Sequence, residues 1–318
     1  MKMKISVVIP SKNEREAIAR SIEGCFSQTR RPDEVLVVDD STDNTPDIVR
    51  SLMKKYKKLQ LVPGQHRGVS AARNLGAHEA KGDLLILLDA DIILGSDVLE
   101  ETAKLFEREK DLNYACFGYT PTPPKTFLEK CSIVRLAHLE RHEETAERMR
   151  TPQVARRKAF LAIGGFNESL KYFEDRDLYN RIIARGERVD VASMNTQHME
   201  PATMGEVVKH ANWLGASATP TTVLWRVRAV FYPLGPVYWL FFLLAIALSF
   251  FYQPAIYFVA AFLLFTFFEF LRCVRMTGMV LPSLGYIGLS LIKQFLLAYA
   301  LLRSVPARIM SKGRDKLT

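Results

Sequence analysis

The sequence predicts an α/β domain built on a doubly wound, mostly parallel sheet, followed by an α-helical membrane domain. Three observations predict it. Short β-rich runs alternate with helical stretches through the first part of the chain, which is the pattern of a doubly wound sheet. Three of those runs end in polar or acidic clusters: Ile5–Ile9 before Pro10-Ser11-Lys12-Asn13-Glu14, Glu34–Val38 before Asp39-Asp40-Ser41-Thr42-Asp43, and Leu84–Leu88 before Asp89-Ala90-Asp91. Finally, the composition changes near Ala229, beyond which Phe, Leu and Tyr crowd the chain and the acids are Glu269 and Asp315.

The central run is Leu84–Leu88. It is continuously apolar and bounded by Gly82 and by acids, as expected of a strand buried on both faces. It stops at two carboxylates spaced i, i+2. Ligands of open α/β sheets collect outside the carboxyl ends of the strands, so Asp89 and Asp91 lie where a cation meets a phosphate. A solvated acidic turn is the plain alternative.

Ahead of that run, a helix is expected over 15–27 and another from Thr45, as N-cap, through Pro46 to about Lys57. A short strand follows at Leu59–Val62, and the loop Pro63–Gly68 leads into a helix through Gly76. Behind it come a helix over 96–110 and a strand over 114–119. Pro121, Pro123 and Pro124 then break the chain before a helix over 126–149 rich in Glu, Arg and His. That helix is either a solvated, salt-bridged face or one turned to lipid headgroups or acceptor. Residues 153–156 return to the sheet, Gly164–Glu168 is a turn, and Tyr172–Leu178 opens a further helix. The acids at that helix start, Glu174, Asp175 and Asp177, also complement its dipole.

Two apolar runs, 232–252 and 254–271, each approach the roughly 20 residues that span hydrocarbon. Arg226 and Arg228 precede the first, and Arg272 and Arg275 follow the second, which places both outer ends on the cytoplasmic side. A third run, 281–302, carries Lys293 and Gln294 at its middle. A central lysine costs about 2.5–3.5 kcal/mol to insert, so this run is expected to lie in the interface, with a third span as the alternative. Residues 205–228 suit an amphipathic interface segment. The apolar stretch before Pro10 is too short for a signal peptide. The expected layout is a cytoplasmic domain over 1–204, an interface segment over 205–228 and a multi-pass cell-membrane domain over 229–318.

The net charge of +9 is partly carried by the apolar tail. Beside such runs it implies an anionic membrane surface as partner, and no motif supports nucleic acid. Cys25, Cys116, Cys131 and Cys273 have no C-x-x-C spacing and read as buried thiols in a reducing compartment.

Taken together, several stretches resemble the family 2 glycosyltransferases of GT-A fold. They are Val7–Glu14, Val37–Asp43, Ser70-Ala71-Ala72-Arg73-Asn74, Asp89-Ala90-Asp91, Gly164–Glu168 and Glu174-Asp175. They cover about residues 4–185 in the family's order. The membrane-attached layout looks like a reduced cellulose-synthase-like enzyme or a polyisoprenyl-phosphate sugar synthase. The resemblance implies that Asp40 holds the base in a pocket lined by Pro10 and Glu14, that Asp91 ligates Mn²⁺ or Mg²⁺ with Asp89 nearby, and that Asp175 is the catalytic base, supported by Glu174. A carboxylate suits guanine or uracil, so the base stays open. Arg67 and Arg73 are diphosphate candidates, although Arg73 also suits a role in pinning the loop. His198 is a metal or diphosphate candidate, or a structural histidine.

The chain also departs from the family. The Q-x-x-R-W of cellulose synthases is matched by Lys209-His210-Ala211-Asn212-Trp213, which keeps the tryptophan for acceptor stacking and weakens the case for polymer synthesis. The glycine of the family's D-D-G-S-T-D form is missing, which implies a tighter loop at Asp40–Ser41. The reading that results is an inverting, metal-dependent transfer of one hexose to a hydroxyl of a lipid-linked glycan at the cytoplasmic face. GDP-mannose is the first donor and a UDP-hexose the second, with N-glycan precursor assembly as the destination. The alternatives are a polyisoprenyl-phosphate sugar synthase and a non-catalytic membrane scaffold. The oligomeric state is left open.

Overall fold

Strand β1 (Ile5–Ser11) is buried along its whole length. It lies inside the sheet, between β2 (Glu34–Asp39) and β4 (Leu84–Leu87), and is parallel to both. Its odd-numbered residues Ile5, Val7 and Ile9 face one apolar cluster, and Val8 faces another. This two-sided burial is why the run carries no polar alternation. In a computed structural model that describes residues 3–139, 152–170, 173–209, 236–290 and 292, the chain divides into two compact units. One comprises 1–122 with 143–199, and the other 123–142 with 200–318.

The first unit contains an eight-stranded sheet of order β3-β2-β1-β4-β7-β6-β8-β5. Its remaining strands are β3 (Leu59–Pro63), β5 (Ile92–Leu94), β6 (Tyr114–Pro121), β7 (Val154–Arg156) and β8 (Val189–His198). Helices α1 (Ile18–Phe26), α2 (Thr45–Lys55) and α4 (Val98–Arg108) cover one face through Ile18, Ile22, Val49, Leu99 and Phe106. On the other face lie α3 (Val69–Glu79), α6 (Arg157–Ala162) and α7 (Glu174–Ala184), contributing Ala72, Phe160 and Leu178. Gly76 lets α3 sit close to the sheet, because a Cβ there would fall 2.2 Å from Val8 Cγ1. Helix α5 (Phe127–Leu139) belongs to the second unit.

The sheet is mostly parallel, as expected, with two reversed strands. β3, β2, β1 and β4 run parallel. β7 is reversed, antiparallel to both β4 and β6; β6 and β8 pair parallel and resume the direction of β4, and β5 is antiparallel to β8. β5 and β8 were not anticipated from the sequence. β5 is three residues long, and β8 mixes Asp, Ser, Asn, Thr and Gln with its apolar residues, so neither shows an apolar strand signal. The expected N-cap also moves by one residue, from Thr45 to Asn44.

In the second unit α8 (Pro236–Ser249), α9 (Ala255–Thr277) and α10 (Val280–Ser290) are largely apolar. Among the described residues one helix, Ile256–Thr277, is long and apolar enough to cross a membrane. The two or three spans expected are thus reduced to one in the described part. α8 is 14 residues long, and 232–235 and 293–302 lie outside the described residues. α9 exposes Tyr257, Phe258 and Phe268, and an exposed apolar band of this kind marks a membrane or protein interface. Its inward side holds Glu269, which pairs with Arg272 at 2.9 Å, and Cys273, which packs with Cys131, Val134 and Tyr286.

The four cysteines are buried and form no disulfide, as expected. Burial pushes the Cys25 thiol up to about 12, so it carries no thiolate at neutral pH.

Candidate active site

Strand register brings the expected residues to one sheet edge. Ser11 pairs with Asp39, Asp39 with Pro63, and Val8 with Leu87. The chain beyond Pro10, Asp39, Pro63 and Leu88 therefore emerges on one side, at the carboxyl ends of four parallel strands, where ligands of such sheets bind.

Asp40 is buried at the end of β2, with 5% exposure. Its amide donates to the Ser11 carbonyl at 2.9 Å, and its Oδ1 accepts the His66 amide at 2.9 Å. Gly64 is required beside it, since a Cβ there would lie 2.0 Å from Asp40 Oδ1. The loop lacking the family's glycine is closed by Asn13, which takes a left-handed φ of 59°. Asn13 Oδ1 accepts the Thr42 amide at 2.8 Å and the Asp43 amide at 3.2 Å, and its own amide donates to Ser41 Oγ at 2.7 Å. Ser41 Oγ in turn donates to Asp39 Oδ1 at 2.7 Å. Asn13 had no role assigned from the sequence, although its place inside the polar cluster after β1 was the available signal. Pro10 is buried and Glu14 half-buried on the same β1 exit.

The two acidic motifs meet through an arginine. Arg73 lies on α3 with a side chain 10% exposed. Its Nη2 donates to Asp89 Oδ1 at 2.6 Å and its Nη1 to Glu174 Oε1 at 3.0 Å. Its guanidinium stacks on Phe166, 5.0 Å from the ring centroid. Burial works against this charge, but Asp89 and Glu174 outweigh it and hold the guanidinium protonated well above its ordinary range. Arg73 is thus a buried ion-pair residue, which accords with the pinning role considered for it from the sequence. Asn74 fixes the Gly164–Glu168 turn by donating to the Phe166 carbonyl at 2.9 Å and to Glu168 Oε1 at 3.0 Å, while its Oδ1 accepts the Phe166 amide at 2.8 Å. Arg67 pairs with Glu168 at 2.7 Å on the exposed loop after β3.

The three acids at the start of α7 have different surroundings. Asp177 pairs with Arg181 at 2.8 Å, and Glu174 is buried against Arg73. Asp175 is half-buried between them in sequence, and its Oδ1 accepts the Arg176 amide at 2.7 Å. Phe173, just before them, has a left-handed φ of 62°. In a bulky residue this costs of order 1–3 kcal/mol and concentrates at functional sites.

Asp91 stands at the other end of the D-x-D, where β5 pairs with β8. Ile92 lies opposite His198, and His198 Nε2 is 3.3 Å from Asp91 Oδ2. The Met199 amide also donates to the Asp91 carbonyl at 2.9 Å. Among the described residues no group of three His, Cys, Asp or Glu forms a complete metal cage. A carboxylate and an imidazole that converge, with the half-exposed Asp89 nearby, fit an ion whose other ligands are substrate oxygens and water. On β6, Tyr119 accepts a hydrogen bond from Gln153. Burial, and then the charges of Asp89 and Asp91, push its phenol well above the usual range, so it stays protonated. Tyr119 was not singled out from the sequence. Lys209 is exposed in the second unit, and Trp213 lies outside the described residues.

Fold and site define the class as a Rossmann-like α/β protein with polar groups gathered at the carboxyl edge of its sheet. The chain belongs to glycosyltransferase family 2: residues 6–164, half of its length, match the family model described as glycosyl transferase family 2. An uncharacterized glycosyltransferase of Haemophilus influenzae is 26% identical over 187 residues, 56% of this chain and 62% of that relative. The beta-monoglucosyldiacylglycerol synthase of a Nostoc species is 34% identical over 113 residues, 33% of this chain and 24% of that enzyme. The chain thus spans less than two thirds of these relatives. Among solved structures, the mannosyltransferase PcManGT from Pyrobaculum calidifontis, in complex with GDP-Man and Mn²⁺, aligns with a TM-score of 0.57 at 18% identity, covering 95% of this chain and 88% of that one.

Proposed function

We propose that the chain transfers a single hexose, with inversion, from a sugar nucleotide to a hydroxyl of a lipid-linked glycan at the membrane. The observation that carries this reading is the meeting of the D-x-D and the Glu174-Asp175 pair through Arg73. It gathers a candidate metal carboxylate and a candidate base into one site. In this reading Asp40, beside Pro10 and Glu14, holds the base, and Asp91 and His198 hold a divalent ion. That ion stabilises charge on the departing diphosphate. Asp175 takes the proton of the acceptor hydroxyl as its oxygen attacks the anomeric carbon and the bond to the diphosphate breaks. Attack from the face opposite the leaving group inverts the centre.

GDP-mannose with Mn²⁺ is the first donor, supported by the ligands of the structural neighbour PcManGT, and a UDP-hexose is the second. A lipid-linked acceptor is supported by the apolar α9 and by the lipid product in the name of the Nostoc relative. N-glycan precursor assembly is the destination this reading favours, with the first unit in the cytoplasm. The test is a panel of GDP- and UDP-sugars with Mn²⁺ or Mg²⁺. GDP release from GDP-mannose, abolished by chelation, is expected; release of UDP alone sinks the mannose assignment.

The base-binding role of Asp40 has its own test. Gly64→Ala drives a methyl into the Asp40 carboxylate and displaces it. A hydrogen bond to a charged group is worth about 1.5–3 kcal/mol, so nucleotide affinity should fall about tenfold or more while the chain stays folded. Titration calorimetry with GDP and UDP reads this directly, and unchanged affinity would remove Asp40 from the base pocket.

A further inference from the structure

We propose that Arg73 is a positioning residue that holds Asp89 and Glu174 in one frame, so that the donor side and the acceptor helix α7 are aligned for transfer. The proposal rests on the transferase reading above and assigns the site a part that no motif reading gave it. Three observations support it. The guanidinium spans both carboxylates with different nitrogens, at 2.6 Å and 3.0 Å. Its plane is seated on Phe166, whose carbonyl and amide are both clamped by the neighbouring Asn74. Finally, residues 73, 89 and 174 come from three separate segments of the first unit, so the link is a tertiary one and not a local cap.

The chemistry of the linker matters. A guanidinium is a planar fork that serves two carboxylates at once, whereas an ammonium is a compact point charge on a flexible stem. Arg73→Lys therefore keeps the charge balance but releases one partner. If Glu174 is released, the first turn of α7, which carries Asp175, loses its tie to Asp89. Misplacing a reacting group by about 1 Å costs on the order of 100-fold in rate. Nucleotide binding, which in this reading depends on the Asp40 loop and on Asp91, is left alone.

The experiment compares native full-length chain, Arg73→Lys, Glu174→Gln and the double variant, using whichever of GDP or UDP the donor panel identifies, with Mn²⁺. Arg73→Lys should lower kcat on the order of 100-fold and leave the calorimetric Kd for nucleotide within about threefold, a shift under 1 kcal/mol. Glu174→Gln should act in the same direction, and the double variant should lose little more than the worse single, because the two changes break one link. Thermal melting separates a folding defect from this pattern. If Arg73→Lys fails to fold, the kcat-against-Kd split of Glu174→Gln decides alone. Near-native kcat in the folded variants overturns the proposal, as does a loss of nucleotide affinity as large as the loss of kcat. Should Asp175→Asn and Asp91→Ala abolish transfer while Arg73→Lys and Glu174→Gln turn over normally, Arg73 is merely structural and the transferase site stands. If none of the four changes matters, both readings fall.

Discussion

Asp175→Asn is expected to lower kcat by about 10³-fold while metal-dependent nucleotide binding persists. The amide keeps the size and the hydrogen bond from the Arg176 amide but cannot take a proton. General base catalysis typically contributes 10²–10⁴-fold, and a sugar hydroxyl cannot attack well without it. The neighbouring acids do not substitute, since Glu174 is buried against Arg73 and Asp177 is paired with Arg181. Transfer assays beside nucleotide calorimetry distinguish the lost step from lost binding. A phosphate acceptor is already ionised and needs no base. Full turnover by Asp175→Asn, with Asp91→Ala inactive, would therefore move the enzyme to the polyisoprenyl-phosphate sugar synthases.

Asp91→Ala should abolish both transfer and the metal dependence of nucleotide binding. Asp91 is the D-x-D acid that faces an imidazole, with His198 Nε2 3.3 Å away, whereas Asp89 is already engaged by Arg73 at 2.6 Å. In the proposed reading Asp91 would hold the ion that stabilises the leaving diphosphate, so its removal should cost at least about 10²–10³-fold by analogy with other electrostatic stabilisers. Calorimetry with and without Mn²⁺ separates the two acids: Asp91→Ala should erase the metal effect and Asp89→Ala should retain part of it. The reverse order would exchange their roles.

Much of the first unit is legible in the chain. Ile5–Ser11, Glu34–Asp39 and Leu84–Leu87 announce themselves by unbroken apolar burial, because a strand covered on both faces tolerates no polar alternation. The acids that follow β2 and β4 are legible for the same reason, because the unbroken apolar run stops at them. β8 is hidden in a polar-looking stretch, since its partners β5 and β6 are supplied from far along the chain. In the second unit composition indicates apolar helices, but α8 is shorter in the described residues than its apolar run.

Asp89 and Asp91 could thus be singled out from the end of an apolar strand, and Asp40 and Asp175 from the family motifs that they match, since both signals are local properties of the chain. The sequence places Arg73 on a helix near the loop, but its partners are 16 and 101 residues away. Choosing Asp89 and Glu174 among many acids depends on how α3 and α7 pack on the sheet. The same holds for His198, which reaches Asp91 only because β5 and β8 pair antiparallel. Local pattern marked which groups are candidates for the chemistry. Tertiary packing decided which of them stand together, because a charge buried at such a distance is fixed only by the partners that the fold delivers.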